Sequence, residues 1–422
     1  MTVNKNIPKH WQVKRFEDLL DYLQPTPFIV DSTEYSSDYK TPVLTAGKTF
    51  ILGHTNESQG IFNSLPVIIF DDFTTANRLV NFPFKVKSSA MKILKPKDES
   101  VNLKFVFYYM QTVKITFDTH KRYWISVFSK LPISLPPLPE QRAIVSKIEE
   151  LLSDLDNGKQ QLLTAQQQLK VYRQSLLKAA FEGKLTAGWR ESHKQGNSNS
   201  LALAAEPEEN YGENGKLPEG WKILNLKSIC HIVGGVTKGK DYKGRQTISL
   251  PYLRVANVQD GYLDLKEIKK IEVLPSDLDK YRLISGDILY TEGGDKDKLG
   301  RGTIWKNEIP DCIHQNHIFR ARPFSKNINP RYIAYYSQTK SAKSYFFKHG
   351  KQTTNLASIN LTILSGLPLP ICSTEEQQLL IDELESKLTI YDKMEETISQ
   401  SLLQAETLRQ SILKRAFEGR LV

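Results

Sequence analysis

The chain has 422 residues, more than one ordinary domain holds, with 40% hydrophobic and 10% aromatic residues and a formal net charge of +10. That balance places it among globular proteins. No apolar run approaches the roughly 20 residues that cross a bilayer, and the opening "MTVNKNIPKHWQVKRF" has no apolar signal core, so a cytoplasmic protein with no membrane partner is expected. The cysteines, Cys230, Cys312 and Cys372, lie far apart without a Cys-x-x-Cys pair, which excludes a cysteine zinc site and points to a reducing compartment.

Residues 1–135 form the first block, with 17 Lys and Arg against 12 Asp and Glu. Strand-like runs such as "LPVIIF" mark it as mixed α/β. Its candidate residues for facing a polyanion are Lys48, His54, Asn56 and Gln59 in "AGKTFILGHTNESQG", and Lys121, Arg122 and Tyr123 in "THKRYW". Lysine and arginine suit phosphates, while Asn, Gln, His and Arg suit base edges. Three enzyme-like signals fail here. "AGKT" at 46–49 ends like a phosphate-binding loop, but Pro42 stands where that loop needs its first glycine. "NFPF" at 81–84 resembles an adenine-methyltransferase pocket but lacks a glycine-rich methyl-donor loop. Asp71-Asp72 has no downstream Glu-x-Lys to complete a magnesium site, so the pair is expected to cap a turn.

A helix is predicted over 136–190. Ile144, Ile148, Leu151, Leu155, Gly158, Leu162, Ala165, Leu169, Tyr172, Leu176 and Ala179 alternate at spacings of four and three, one seam of a long helix. Residues 191–216, rich in Gly, Ser, Asn and Glu, read as a flexible linker.

The second block, 217–372, carries 24 basic against 14 acidic residues. The corresponding candidate strings here are "VTKGKDYKGR" (Lys238, Lys240, Arg245), "GGDKDKLGR" (Lys296, Lys298, Arg301), "HQNHIFR" (Gln315, Asn316, Arg320) and "HGKQTTN" (Lys351, Gln352, Thr354, Asn355). His314 and His317 lack a third metal ligand with suitable spacing, so no metal is expected. The two blocks together carry +15, while the remaining pieces are near neutral or acidic, a pattern built to face a polyanion.

The last segment, 373–422, repeats the helix. "YRQSLLKAAFEGKLT" (172–186) returns 236 positions later as "LRQSILKRAFEGRLV" (408–422) with ten of fifteen residues identical. At the same offset Glu140-Gln141 falls on Glu376-Gln377, Glu149 on Glu385 and Asp156 on Asp392. The blocks repeat too: "IPKHW" answers "LPEGW", and "NLKFVFYYMQT" answers "NPRYIAYYSQT". The second seam runs through Leu380, Leu384, Leu388, Tyr391, Met394, Ile398, Leu402, Ala405, Leu408 and Ile412. At about 1.5 Å per residue, each helix is on the order of 65 Å long. An isolated apolar seam must be buried, and the expected partner is the other copy, antiparallel, with packing by Ile148, Leu151, Leu155, Leu162, Leu169 and Leu176 against Leu384, Tyr391, Ile398 and Ile412. That arrangement places one block at each end of a common rod. The rival arrangement packs each helix on its own block.

With "LPPLPEQRAIVSKIEELL", the two "RQS" helix ends, "YLRVANVQDG", "SGDILYTEGG" and "CIHQNHIFRARP", the whole chain resembles the specificity subunit of a Type I restriction-modification enzyme. The resemblance implies an α+β fold: two mixed target-recognition domains joined by two long antiparallel coiled-coil-like helices with a pseudo-twofold repeat. It also implies a subunit without catalytic residues that reads a bipartite double-stranded DNA target. Its partners would be two methylation subunits and, in the full complex, two restriction subunits. S-adenosylmethionine, ATP and Mg belong to those partners, not to this chain, and the modified base would be adenine at N6. A coiled-coil scaffold and a stand-alone DNA-modifying enzyme are the competing classes. The first leaves the basic blocks without a purpose, and the second requires one of the failed motifs.

Overall fold

Two helices of 44 residues, Leu138–Phe181 and Thr374–Phe417, organise the chain in the computed structural model, which describes residues 7–45, 49–115, 122–193, 217–242, 244–295, 299–352 and 356–422. Residues up to Thr164 together with Ile398–Val422 form one compact unit, and Ala165–Thr397 form the other. Each long helix therefore gives its first half to the unit built on its own block and its second half to the other unit. The linker expected at 191–216 lies outside the described residues from 194 onward. Glu191 and Ser192 end a short helix, Ala187–Ser192.

In the first unit, β1 (Gln12–Arg15) pairs antiparallel with β9 (Pro132–Leu135) just before the long helix begins. A four-stranded antiparallel sheet orders β2 (Leu20–Leu23), β8 (Met91–Pro96), β5 (Val67–Asp71) and β6 (Asn77–Val80). A three-stranded sheet orders β4 (Ile51–Thr55), β3 (Thr41–Leu44) and β7 (Lys85–Val86), with β3 and β7 parallel. Asn102 caps the helix Leu103–Met110, accepting from Lys104 N at 3.0 Å and Phe105 N at 3.2 Å.

The second unit repeats these parts. Strand β10 (Lys222–Asn225) pairs with β21 (Pro368–Ile371). The four-stranded sheet orders β11 (Cys230–Gly234), β18 (Ile318–Pro323), β14 (Ile288–Thr291) and β16 (Gly302–Ile304), and the three-stranded one β13 (Lys269–Val273), β12 (Ile248–Leu253) and β17 (Ile313–His314). A further sheet of β15 (Gly293–Asp295), β20 (Leu356–Ser358) and β19 (Lys351–Gln352) is added here. The helix Pro330–Tyr336 is capped by Asn329.

The residues shared by the two helices meet equivalent partners in each unit. Gln141 accepts from Asn102 N at 2.8 Å, and Gln377 accepts from Asn329 N at 2.9 Å. The Trp11 indole donates to Glu140 at 3.0 Å, and the Trp221 indole to Glu376 at 2.9 Å. Glu149 holds Lys104 at 2.7 Å, and Glu385 holds Arg331 at 3.1 Å. These bonds tie the start of each helix to its own block. Its end closes the other block: Phe417 lies 5.2 Å from Phe105 and 4.9 Å from Tyr109, while Phe181 lies 5.0 Å from Tyr332 and 5.2 Å from Tyr336, all edge-on. Both helices stop at a glycine with positive φ, Gly183 at 72° and Gly419 at 67°. The residue after it donates five positions back, Lys184 N to Ala179 O at 2.8 Å and Arg420 N to Arg415 O at 2.9 Å. A Cβ at either glycine would lie 2.5 Å from Pro218 or 2.4 Å from Pro8.

Within the first unit the helix halves run antiparallel, since Asp156 meets Arg409 at 3.3 Å and Lys159 meets Glu406 at 3.8 Å: three residues forward on one helix is three back on the other. Ile144, Ile148 and Leu152 share a core with Ile412, Leu413, Ala416 and Phe417. In the second unit Leu176, Leu177, Ala180 and Phe181 share one with Leu380, Ile381, Leu384 and Leu388, and Tyr391 is buried nearby on the same helix. The expected packing of one helix on the other is therefore present in both units; each helix in addition packs its first half on its own block, as the rival arrangement had it, and its end on the other block. Leu151, Leu155, Leu162, Leu169 and Ile398 are half-buried. The seam expected through Gly158, Tyr172, Met394 and Leu408 is corrected: these four are exposed. A strict 3.5-residue repeat drifts about 20° per heptad on a 3.6-residue helix. Near each helix end the buried arc moves on to the adjacent pairs Leu176-Leu177 and Ile412-Leu413.

Replacing Phe417 by Ala is expected to cost about 3–5 kcal/mol. Hydrogen exchange should show lost protection in the described part of 7–135 with 217–372 unchanged, and Phe181→Ala should show the reverse.

Candidate nucleic-acid interface

Lys48, Lys121, Lys296, Lys298, Thr354 and Asn355 lie outside the described residues. In the first domain, Asn56 and Gln59 are exposed on the loop leaving β4, and His54 is half-buried within the strand. That loop is pinned from beneath. Lys85, 3% exposed, forms an ion pair with Glu57 and donates to Gln59 O at 2.9 Å. Glu57 also accepts from Asp31 N and Ser32 N, both at 3.0 Å. The Lys85 hydrogen bond, with these amides, holds the Glu57 carboxyl below the usual carboxylate range.

Arg122 is exposed, but Tyr123 is corrected: it is 3% exposed, because its N–H donates to Asp72 O at 2.8 Å and draws the ring inward. Asp71 caps a turn, accepting from Phe73 N at 2.8 Å and Thr74 Oγ1 at 2.6 Å. Asp72 is buried, accepts from Trp124 N at 2.8 Å and lies 3.4 Å from the buried Lys92 ammonium.

In the second domain, backbone bonds knit the four basic strings into one edge. Val236 N donates to His314 O at 2.8 Å, and Asn316 N to Val236 O at 2.8 Å. Glu292 N donates to His317 O at 2.9 Å, and Ile359 N to Glu292 O at 2.7 Å. Asp295 is the cross-strand partner of Leu356, so the chain leaves toward 296 and returns from 355 at the same end of one small sheet. Lys238, Lys240, Arg245, Lys351 and Gln352 are exposed in these strings, and Gln315 and Asn316 are half-buried in the turn bonded to Val236. Arg301 is half-buried and donates to Gln259 at 2.5 Å. Arg320 is corrected: it is 4% exposed on the central strand β18, where it donates to Lys280 O and Arg282 O at 3.4 and 3.3 Å, and burial lowers its pKa. Sequence reasoning passed over His317 as a surface group. It is exposed, and its Nδ1 meets the Glu292 carboxylate. Among the described residues, no group of three or more His, Cys, Asp or Glu could hold a metal ion, and no helix is long and apolar enough to cross a membrane.

Residues 8–165 and 218–404 match the Type I restriction modification DNA specificity domain family. The chain belongs to that family. The specificity subunit of the Escherichia coli type I restriction enzyme EcoR124I/EcoR124II is 31% identical over 407 residues, covering 93% of this chain and 89% of that one. The E. coli K12 EcoKI specificity subunit is 27% identical over 70% of this chain and 58% of that one. A solved structure from work on complex assembly and conformational transition of the type I R-M system superposes with a TM-score of 0.67. It covers 99% of this chain and all of that one, and at 17% identity the likeness is one of fold. As a specificity subunit the chain serves recognition of target DNA, and the edge described above is the strongest candidate surface for it.

His314 in the same turn is buried, with Nδ1 2.9 Å from Ile318 O, and burial pushes its pKa down to about 4 from 6.5. Above pH 6.5 neither folded nor unfolded chain is protonated there. Below it the unfolded chain binds a proton first, so stability is lost between pH 6.5 and about 4. This group alone is expected to remove about 2 kcal/mol between pH 7.5 and 5. His314→Gln should flatten that part of the slope in denaturant unfolding measured across pH.

Proposed function

We propose that this specificity subunit reads a bipartite, asymmetric double-stranded DNA target, the domain at 1–135 one half and the domain at 217–372 the other. It does so without catalysis of its own. Two copies of one methylation subunit dock on its repeated helices, and two restriction subunits join through them in the full complex. S-adenosylmethionine, ATP and Mg are held by those partners, the whole acting in the cytoplasm. One observation carries the reading: the helix junction is built from the same residues in both units, while the basic loops that each unit presents differ. A shared frame suits a shared partner, and different loops suit different bases.

Identity at exposed helix positions supports the two-copy partner. Gln168 and Gln404, and Ser175 and Ser411, are identical across the repeat and exposed. Among the described residues their side chains have no hydrogen-bond or ion-pair partner, whereas Gln141, Glu149 and Phe181 are explained by the blocks they hold.

Long-read methylation mapping in a methylation-free host tests the reading. One split motif with a fixed unspecified gap is expected only when this chain and its methylation subunit are expressed together. A motif formed by the methylation subunit alone would overturn it. In native mass spectrometry, Ser175→Arg or Ser411→Arg is expected to remove one methylation subunit, and the double variant both. DNA affinity of the complex should fall steeply with salt, each neutralised phosphate contributing about 0.9 to the log-log slope.

A further inference from the structure

A cavity of about 490 Å³ opens in the second domain, lined among others by Glu292, Gly293, Gly294, His317, Lys351 and Ala357. It lies on the edge where the basic strings converge. Glycine backbone and small apolar side chains line part of it, and its polar side chains are one imidazole, one ammonium, one carboxylate and the Ser358 hydroxyl. The carboxylate of Glu292 is engaged by His317 Nδ1, and among the described residues His317 Nε2 has no hydrogen-bond partner.

The imidazole is held on two levels. Its ring is oriented by Glu292, and its backbone carbonyl accepts from Glu292 N at 2.9 Å, while Glu292 O accepts from Ile359 N at 2.7 Å. Gly293 is tightly placed as well, since a Cβ there would lie 3.0 Å from Ala357 O. An exposed His–Glu pair on a flat surface is worth little to stability. Here the pair borders a concave, roomy site with a lysine across it, and a carboxylate that fixes the ring's tautomer leaves the other nitrogen with a defined role.

Resting on the reading above, we propose that Glu292 and His317 form a base-reading element of the second domain: His317 Nε2 contacts a base edge of the target, with the base seated over the glycine backbone. Lys351 meets the adjoining phosphate. Glu292 is a positioning residue that acts through the ring.

The test uses the full chain with its methylation subunit, by mapping methylated sites for wild type, His317→Ala, His317→Gln and Glu292→Gln. His317→Ala is expected to relax one position of the half-motif read by the second domain, with discrimination there falling about tenfold or more and the other half-motif unchanged. Glu292→Gln should relax the same position, an effect that a merely structural role would not confine to one base pair. Lys351→Ala should weaken methylation at all sites alike. A motif unchanged in His317→Ala and His317→Gln overturns the inference. So does a uniform loss of affinity with a salt slope reduced by about 1, which would make His317 a phosphate contact. Wild type without any motif overturns the underlying reading of the domains instead.

Discussion

The whole arrangement depends on an aromatic side chain at the end of a helix being buried in a domain that the helix does not follow in sequence. Phe181 closes the domain after it, against Tyr332 and Tyr336, and Phe417 closes the first domain, against Phe105 and Tyr109. The residue before the ring and the two after it are constrained as well: Ala180 and Ala416 are fully buried. The glycine must take a left-handed conformation and approach a proline too closely for any side chain. The glutamate pairs with the next basic residue, Lys184 or Arg420. A run of Ala-Phe-Glu-Gly written twice is thus a packing requirement met twice.

This division explains where the two copies agree. Positions that bind a domain, such as Gln141 and Gln377 or Glu149 and Glu385, are identical because their partners, the N–H of Asn102 or Asn329 and the cation of Lys104 or Arg331, are equivalent. The exposed loop residues described at the sheet edges, such as Asn56, Gln59, Lys238 and Lys240, are not among the groups that hold the helices, so they are free to differ. A frame that is expensive to change and edges that are cheap to change suit a family whose members recognise DNA targets.

Legibility in the sequence followed the same line. The long helices, their repeat and their antiparallel pairing could be read from spacing, because an apolar seam admits few ways of being buried. The exposure of Tyr172 and Leu408 could not, since it depends on where the domain wall meets each helix. Among candidate residues, those of "KGKDYKGR" and "HGKQTTN" that are described, Lys238, Lys240, Arg245, Lys351 and Gln352, are exposed, as glycine-bounded strings of long polar side chains suggest. Arg320 and Tyr123 were misplaced because a basic or aromatic residue beside a loop reads the same whether its strand is central or at an edge. His317 was visible only as half of a histidine pair; its partner Glu292 lies 25 residues away and is brought to it by a backbone bond between neighbouring strands.

By itself, then, the amino-acid sequence determined two basic domains, two repeated helices and membership of a recognisable family, since periodicity, charge and repetition are properties of the chain alone. Only the tertiary structure decided which helix end seals which domain, and which basic strings share one edge. Both are settled by contacts between residues far apart in the chain, and a single sequence carries no signal for which of several compatible partners a side chain will meet.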